Sequence, residues 1–347
     1  MNISILPNKK VAKVAVVILN YNGVSFLKQF LPGVIKNSVG SEIWVADNAS
    51  TDDSMHYLRE YHPDVKRIEL EENIGYAGGY FEALERIKAE YYVLLNSDVE
   101  VSDNWVQPII KLMDNDDSIA ACQPKIKSYS DKSLFEYAGA SGGFIDKYGY
   151  PFCRGRIFDT LEEDNGQHDE AIEVFWATGA CLFVKAKAYH EVGGLDLDFF
   201  AHMEEIDLCW RLKNRGYKII CEPKSTVYHI GGGTLQKTNP KKTYLNFRNS
   251  LFTLVKNHPK SGLLSTLIVR LLLDGVAGVK FLLVGEVGNL FAIIKAHFSF
   301  YSSYSKTYKK RQGKDFKIPP HVYQAFIVFQ YYLNGKKKFN DLSKLWS

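Results

Sequence analysis

The sequence predicts an α/β protein with a mostly parallel central sheet flanked by helices, followed by a helical C-terminal extension. Two observations support the sheet: apolar, β-branched segments alternate with segments of helical spacing over the first 125 residues, and the connections between them are short. A third observation marks the extension, because the segments beyond residue 240 are helical, apolar and basic. We therefore expect one α/β domain over residues 1–240 and an extension over residues 241–347.

The elements of the first half of this domain alternate in order. Its strands are continuous and apolar, which is typical of strands buried on both faces, and they cover residues 14–20, 42–48, 66–70, 91–96 and 119–126. Helices are predicted over residues 24–38, 50–61, 77–90 and 104–115. Pro32 is expected to mark a kink or a break in the first helix.

The second half of the domain is less regular. Residues 126–172 contain many Gly, Asp and Tyr residues and little periodicity, so we expect a long excursion over the surface. Residues 173–194 predict a strand pair and a helix, and a further helix begins at residue 204 and is ended by Gly216 in the C′ position. His229 then closes a strand, directly before three glycines.

Charge is distributed unevenly along the chain, although the net charge is only +4. Residues 236–347 contain 19 Lys or Arg and 4 Asp or Glu, whereas residues 1–235 contain 24 and 35. The acidic part is suited to holding a cation and the basic part to meeting an anionic surface, either nucleic acid or a membrane leaflet. Because no nucleic-acid module accompanies the basic residues, we expect an anionic membrane surface and no nucleic acid.

The five cysteines are odd in number and form no C-x-x-C pair, and no N-terminal signal peptide is recognised. We therefore expect small, buried, unpaired thiols and a cytoplasmic setting.

The most apolar window is residues 263–285. Arg270, Asp274 and Lys280 interrupt it, so a clean membrane span is not expected. An interfacial or re-entrant helical hairpin fits this pattern. Packing against the α/β domain or against a second subunit, in a homo-oligomer, is an equal alternative.

Polar residues follow each of the first four strands. In an open parallel sheet, ligands bind outside the carboxyl ends of the strands, so these residues should share one edge. They are Asn20 and Asn22, then Asp47 and Asn48, then Asn73 and Gly75, and finally Asn96, Ser97 and Asp98. Any one of them could form an Asx turn or cap a helix, the better interpretation for Ser50 and Asp52. Together they predict a site where carboxylates and amides bind a base and a ribose.

The sequence offers no glycine-rich cradle for phosphate groups, since neither G-x-G-x-x-G nor G-x-x-x-x-G-K-[ST] follows the first strand. A metal ion must then supply most of the positive charge that a diphosphate needs. The hard carboxylate oxygens of Asp98 suit Mg²⁺ or Mn²⁺. His229 is either structural or a contact to that metal or phosphate.

Three acidic residues, Glu204, Glu205 and Asp207, open a predicted helix. Acidic residues are common there because they interact favourably with the helix dipole. A functional role requires one carboxylate to face the site, where it would act as a general base toward a substrate hydroxyl.

Five stretches, in this order, resemble the family 2 inverting glycosyltransferases with a GT-A fold: "VVILNYNG", "VADNASTDDS", "ENIGYAGG", "LLNSDVEV" and "FFAHMEEIDLCWRL". The similarity extends over residues 12–258 and is greatest to a subgroup with rhamnosyltransferases of bacterial surface polysaccharides. It implies transfer of a sugar, with rhamnose a candidate, from a nucleotide-diphosphate donor to a hydroxyl of a glycan or lipid-linked acceptor. The enzyme would work as a peripheral protein on the inner face of the cell membrane.

The resemblance also implies roles for individual residues. The donor would bind residues 12–125, where Asn22, Asp47 and Asn73 contact the nucleoside and Asp98 ligates the metal. His229 would assist the metal or the leaving diphosphate, and Glu205 would be the base. Residues 126–240 would bind the acceptor, which Trp176, Thr178 and Gly179 would line.

Three departures from the family pattern affect this interpretation. The usual Asp-x-Asp is Asn96-Ser97-Asp98, and the usual Glu-Asp is Glu204-Glu205, which leaves the choice of base between the two glutamates open. Tyr80 and Phe81 replace a common Asn. Two alternatives remain: a sugar-phosphate nucleotidyltransferase, whose glycine-rich first turn is missing after Asn20, and a catalytically idle protein that binds a nucleotide sugar or a glycan.

Overall fold

The structure, a computed structural model, describes residues 11–231, 239–311, 313, 317–342 and 346. Its strands are β1 (Ala12–Asn20), β2 (Glu42–Asp47), β3 (Lys66–Glu69), β4 (Ala89–Asn96), β5 (Val99–Val101), β6 (Ile119–Ser128), β7 (Gly143–Asp146), β8 (Pro151–Cys153), β9 (Arg156–Ile157), β10 (Thr160–Leu161), β11 (Ile172–Glu173), β12 (Cys181–Lys185), β13 (Lys218–His229) and β14 (Val322–Tyr323). Its α-helices are α1 (Val24–Asn37), α2 (Ser54–Tyr61), α3 (Gly75–Leu84), α4 (Gln107–Asn115), α5 (Ala186–Glu191), α6 (Glu204–Asn214), α7 (Pro240–Asn257), α8 (Lys260–Leu283), α9 (Val287–Lys309) and α10 (Ile327–Tyr332).

In the described part of the chain, nine strands form the central sheet. Their order is β11-β13-β6-β12-β4-β1-β2-β3, with β5 paired to β13. The strands β3, β2, β1 and β4 are mutually parallel, and β13 is parallel to β6. Strand β12 is antiparallel to its neighbours β4 and β6. The predicted mostly parallel sheet is confirmed.

Strand β1 shows why the sheet strands are continuously apolar. Successive side chains of a strand point to opposite faces. Ala15 and Val17 therefore pack in one core with α3, α5 and α6, whereas Val16 and Ile18 pack in the other core with α1, α2 and α4. All four residues are at most 2% exposed. Polar groups are thus confined to the end of the strand.

The helix α1 continues through Pro32, so the predicted break is wrong. Pro32 and Lys28, four residues earlier, are both exposed. Water can therefore bond the Lys28 carbonyl that proline leaves without its helical partner.

The region 126–172 is not a surface excursion, and that prediction is wrong. Strands β7, β8, β9 and β10 form a second sheet, which β14 from the extension completes in the order β10-β9-β8-β7-β14. Phe152 and Tyr323 are fully buried and their rings meet at 5.8 Å. These strands have only two to four residues, too few to show a periodicity in the sequence.

The strand pair predicted over residues 173–194 is also wrong in part. Strand β12 and helix α5 form, but β11 pairs with β13 instead of β12. Gly216 does end α6, with a φ of 86° and its N–H donated to the Lys213 carbonyl.

The extension is helical, as predicted. Two of its three interrupting charges, Arg270 and Asp274, are buried and bonded inside the protein, whereas Lys280 is exposed. Arg270 donates to the Tyr148 carbonyl and to Ser250, and the buried Asp274 lies 3.0 Å from His297. Among the described helices, none is both long enough and apolar enough to cross a bilayer. All five cysteines are buried and unpaired.

Gly75 opens α3 in a left-handed conformation, with a φ of +78°. A Cβ atom at this position would lie 2.4 Å from the Phe200 carbonyl oxygen. The Ala77 N–H donates to that same oxygen at 3.0 Å. The start of α3 and the segment before α6 are therefore in direct contact, and Gly75 permits it.

We expect Gly75→Ala to destabilise the protein more than Gly40→Ala. Gly40 has the same left-handed backbone, with a φ of +82°, but nothing lies within 4 Å of its added Cβ. Gly40→Ala measures only the cost of placing alanine in a left-handed conformation, about 1–2 kcal/mol. Any larger loss in the free energy of unfolding of Gly75→Ala measures the clash with Phe200. Urea unfolding of both variants tests this, and equal losses would show that the contact with Phe200 is easily relieved.

Candidate active site

The carboxyl ends of the central strands meet at one edge of the sheet. Asn20 lies opposite Asp47 in the β1–β2 register, and Asn96 lies opposite Leu19, one residue before Asn20. The antiparallel β12 starts at this edge, where the Asn96 N–H donates to the Ala180 carbonyl at 3.0 Å. The structure therefore brings the predicted strand-end residues together.

Asn20 and Asp47 form the centre of this edge. The Asn20 amide donates to Asp47 Oδ1 at 2.9 Å and to Ser50 Oγ at 3.1 Å, while Ser50 N donates to Asp47 Oδ2. Asn20 is fully buried, yet its Oδ1 has no hydrogen-bond partner among the described residues. A Cβ at Gly23 would lie 2.5 Å from this oxygen and 3.6 Å from Ser97 Oγ. The bare glycine keeps the space in front of both atoms open.

The side-chain amides of the other predicted asparagines form hydrogen bonds within the protein, in part with backbone groups. Asn48 Nδ2 donates to Asn73 Oδ1 at 3.1 Å and to the Gly75 carbonyl at 3.0 Å. Asn22 Oδ1 accepts from the Thr51 N–H at 2.7 Å. These contacts shape the loops after β1, β2 and β3. Asp52 accepts from the Ser54 N–H at the start of α2, as expected of a residue that caps a helix.

Asp98 and His229 form a buried pair beside this edge. Asp98 Oδ1 lies 3.2 Å from His229 Nε2, and Glu136 Oε2 lies 3.3 Å from Nδ1. Burial disfavours the imidazolium, but hydrogen bonds to the two carboxylates outweigh this effect and raise the pKa of His229 to about 10. Glu136 was not predicted. It lies in region 126–172, where no sequence pattern marks it.

The pair has the spacing of two neighbouring metal ligands. Adjacent ligands of an octahedral ion with bonds of about 2.1 Å lie about 3 Å apart, close to the observed separation. Asn96 Nδ2 lies 3.4 Å from His229 Nε2. Across the described ranges, no three His, Cys, Asp or Glu side chains are arranged to enclose an ion by themselves. An ion held by Asp98 and His229 would keep positions open for other oxygen ligands.

Glu204 and Glu205 start α6. Glu204 is 4% exposed and Glu205 is partly buried, and Oε2 of each lacks a hydrogen-bond partner among the described residues. Burial raises the pKa of Glu205 to about 7. Burial, and then the adjacent charge of Glu205, raise the pKa of Glu204 well above its ordinary value. Burial therefore favours the protonated form of both carboxyl groups.

Tyr76 connects these glutamates with the edge of the sheet. Its hydroxyl donates to the Gly179 carbonyl at 2.6 Å. Burial raises the pKa of the Tyr76 phenol, and the nearby charges of Glu204 and Glu205 raise it further. Because Ala180 bonds Asn96, Tyr76 lies between the start of α6 and the segment that pairs with the end of β4.

Trp176 and Thr178 have their side-chain donors bonded within the protein. Trp176 Nε1 donates to the Phe144 carbonyl at 2.9 Å, and Thr178 Oγ1 donates to the Ala138 carbonyl at 2.5 Å. Both residues are nearly fully buried. They join the two sheets, and Gly179 is the member of this stretch that contacts Tyr76.

Residues 15–193, more than half of the chain, match the model of a family described as "Glycosyl transferase family 2". The chain belongs to glycosyl transferase family 2. The membership confirms the family that the sequence resembles, and it favours a transferase over a nucleotidyltransferase. The fifth stretch, which contains Glu204 and Glu205, lies beyond the matched residues.

Two relatives illustrate the similarity of this glycosyltransferase to known proteins. The N-acetylglucosaminyl-diphospho-decaprenol L-rhamnosyltransferase of Mycobacterium tuberculosis is 24% identical over 234 residues, which cover 62% of this chain and 75% of the relative. The low-salt glycan biosynthesis hexosyltransferase Agl10 of Haloferax volcanii is 22% identical over 243 residues, which cover 68% and 73%.

Solved structures agree on the GT-A fold. GalNAc-T7, solved with UDP, GalNAc and Mn²⁺, matches with a TM-score of 0.54 at 18% identity, over 71% of this chain and 48% of that one. The mannosyltransferase PcManGT of Pyrobaculum calidifontis, solved with GDP-Man and Mn²⁺, matches with a TM-score of 0.51 at 15% identity, over 83% and 87%. The predicted fold is confirmed.

The third acidic residue of α6 has a structural function in this glycosyltransferase. Asp207 is fully buried, and its Oδ2 accepts from Arg211 at 2.9 Å and from Lys256 at 2.7 Å. Its Oδ1 accepts from Asn257 at 2.8 Å. Asp207 thus fastens α6 to α7, whereas Glu204 and Glu205 each keep an oxygen without a hydrogen-bond partner among the described residues.

We expect Asp207→Ala to destabilise the protein by about 3–5 kcal/mol, because the buried Arg211 and Lys256 would lose the carboxylate with which they pair. Asp117→Ala is the control. Asp117 is fully exposed and pairs with Lys185 at 3.2 Å, so its loss should cost less than about 1 kcal/mol. Urea unfolding measures both, and equal costs would contradict the anchoring of α6 by Asp207.

Proposed function

We propose that this glycosyltransferase inverts the anomeric configuration of a sugar as it moves that sugar from a nucleotide-diphosphate donor to an acceptor hydroxyl. We further propose a glycan or lipid-linked acceptor, in the synthesis of a surface polysaccharide, with rhamnose as the candidate sugar. The relative named as an N-acetylglucosaminyl-diphospho-decaprenol L-rhamnosyltransferase supports this choice. The observation that carries the proposal is the pair of buried glutamates with unbonded oxygens, beside the edge that bears Asp98.

Glu205 is the proposed general base. With a pKa of about 7 it is substantially ionised at neutral pH. Burial and the adjacent charge of Glu205 raise the pKa of Glu204 as well. Glu205 would take the proton of the acceptor hydroxyl as the hydroxyl oxygen attacks the anomeric carbon. The nucleoside diphosphate leaves from the opposite face, so one displacement inverts the configuration and no covalent sugar intermediate forms.

Donor binding is proposed at the strand ends. Asn20 Oδ1 and Asp47 would bond the nucleoside, together with the loops that Asn22, Asn48 and Asn73 shape. Asp98 and His229 would hold a divalent ion, Mg²⁺ or Mn²⁺, which would replace the proton on the imidazole. When bound, such an ion supplies positive charge to the departing diphosphate.

We expect the pH profile to identify the base. A carboxylate base acts when it is deprotonated, so wild-type kcat should fall as the pH drops through about 7 and reach about a tenth of its plateau one pH unit lower. We call this fall in kcat the acid limb of the profile. Glu205→Gln should lower kcat by about 10²- to 10⁴-fold and remove the acid limb, with donor affinity nearly unchanged. Glu204→Gln is the matched control and should keep the limb.

The measurement is nucleotide release from a panel of nucleotide sugars, with Mn²⁺ or with a chelator. Loss of the limb in Glu204→Gln alone would make Glu204 the base. Binding of a donor without release of sugar or nucleotide under any condition would instead support the idle binding protein.

We also propose that the enzyme docks on an anionic membrane. Exposed apolar residues recur every three or four positions on two helices, the spacing of one helix face. We call them the apolar stripe: Leu264, Ile268, Leu272, Val276, Val279 and Leu283 on α8, and Val287, Phe291, Ile294 and Phe298 on α9. Such an exposed face on a soluble domain marks an interaction surface.

Charge favours a bilayer over a second copy of the chain as the occupant of the stripe. Residues 260–309 contain six Lys or Arg and two acidic residues. One of these acids, Asp274, is buried against His297. Two copies that met at this face would bring positive charges close to each other, and these charges would repel. An anionic leaflet would instead attract the exposed Lys280 and Lys295.

We expect Leu272→Glu combined with Phe298→Glu to reduce flotation with phosphatidylglycerol liposomes at least about tenfold. Val39→Glu with Tyr61→Glu is the control, since these residues are 78% and 62% exposed but lie outside the stripe. Equal flotation of both variants would rule out the stripe as the membrane contact. Conversion of a dimer to a monomer without loss of flotation would identify it as a subunit interface.

A further inference from the structure

The segment just before the two glutamates has an unusual backbone. Phe200, His202 and Met203 all have positive φ angles, of 63°, 69° and 73°. Positive φ is uncommon for residues other than glycine and is strained for bulky side chains. Such a conformation persists only where its surroundings hold it. Met203 is the residue that immediately precedes α6.

Phe200 is the central residue of a γ-turn. Its φ of 63° and ψ of −63° are those of this turn, and the Ala201 N–H donates to the Phe199 carbonyl at 2.8 Å. The turn directs the Phe200 carbonyl to the Ala77 N–H, at 3.0 Å. The same short segment therefore contacts α3, on the proposed donor side, and leads into Glu204.

Asn249 of α7 holds this segment from behind. Its side chain is fully buried, and Nδ2 lies 2.9 Å from the Phe199 carbonyl oxygen, 2.9 Å from that of Ala201 and 2.7 Å from that of His202. These three carbonyl groups converge on one point and would repel one another without a shared donor. The amide is the donor that satisfies them.

Arg248 fixes the orientation of that amide. Its Nε donates to Asn249 Oδ1 at 2.9 Å, so the NH₂ group must face the carbonyls. Its Nη2 donates to the Asp198 carbonyl at 2.9 Å and to the Phe199 carbonyl at 3.0 Å. Together the two residues bond every carbonyl from 198 to 202 except that of Phe200, which α3 bonds.

We propose that Asn249 is a positioning residue for the general base, oriented by Arg248. Asn249 acts by holding residues 199–203 in the left-handed path that sets the start of α6. This proposal rests on the proposed function of Glu205. The inference places part of the active-site machinery in the extension, because Asn249 lies in α7, beyond residue 240. A displacement of about 1 Å in a catalytic group is enough to lower a rate about a hundredfold.

The test compares Asn249→Leu with Asn289→Leu. Leucine has the branching and the number of side-chain heavy atoms of asparagine, but it cannot donate to the carbonyls. Asn289 is an equally suitable buried amide of the extension, 3% exposed, and its partners Thr243 and Glu286 lie away from the segment. Each variant is measured for kcat, donor affinity, the pH profile of kcat and hydrogen exchange of the amides from 199 to 206.

For Asn249→Leu we expect kcat to fall between about 10-fold and 100-fold while donor Kd changes less than about threefold. The acid limb should move to lower pH, because a loosened segment lets water reach Glu205 and lowers its pKa. Amide exchange over 199–206 should accelerate, and Asn289→Leu should show none of these changes. Should Asn249→Leu fail to fold, Arg248→Met, which frees the amide to turn, should show the same changes in smaller measure.

Equal effects on kcat in both variants, or an unmoved acid limb, would overturn the positioning role. The exchange readout separates this proposal from the proposed function. If wild-type protein transfers no sugar but exchange accelerates only in Asn249→Leu, Asn249 holds the segment and the proposed chemistry is wrong. If exchange does not accelerate, the contact does not hold the segment, whatever the reaction.

Discussion

A strand buried on both faces can carry polar chemistry only where it ends, and the location of the candidate active site of this protein follows from that constraint. Val16 and Val17 of β1 are fully buried on opposite faces of the sheet, so neither face of the strand can present a polar group to a ligand. Asn20 is the polar residue with which β1 ends. Because the neighbouring strands are parallel and in register, their polar ends meet it at the same edge.

The two glutamates show how burial and helix geometry act against each other. Desolvation raises the pKa of both carboxyl groups, while backbone N–H groups at the start of α6 act in the opposite direction. Desolvation is the larger effect for both residues, so the pKa of each carboxyl group stays above its ordinary value. A longer side chain than the family's aspartate therefore remains compatible with a base that works near neutral pH.

The sequence was informative where function and regular structure coincide. Asn20, Asp47 and Asp98 were found because apolar strands end at them, and Glu205 because an ordered series of motifs includes it. Glu136 and Asn249 were missed. Glu136 lies among strands too short to show a periodicity, and Asn249 lies in a helix whose spacing predicts only packing. Their importance depends on carbonyl groups and rings that come near them in space, which no local pattern encodes.

The thiols of this chain have a practical consequence. Each of the five cysteines is buried, and burial raises the pKa of every one of these thiols. The native protein should therefore react slowly with maleimide reagents. One cysteine introduced at an exposed position such as Leu283 would carry a spectroscopic label alone, so its depth in lipid could be read without background from the rest of the chain.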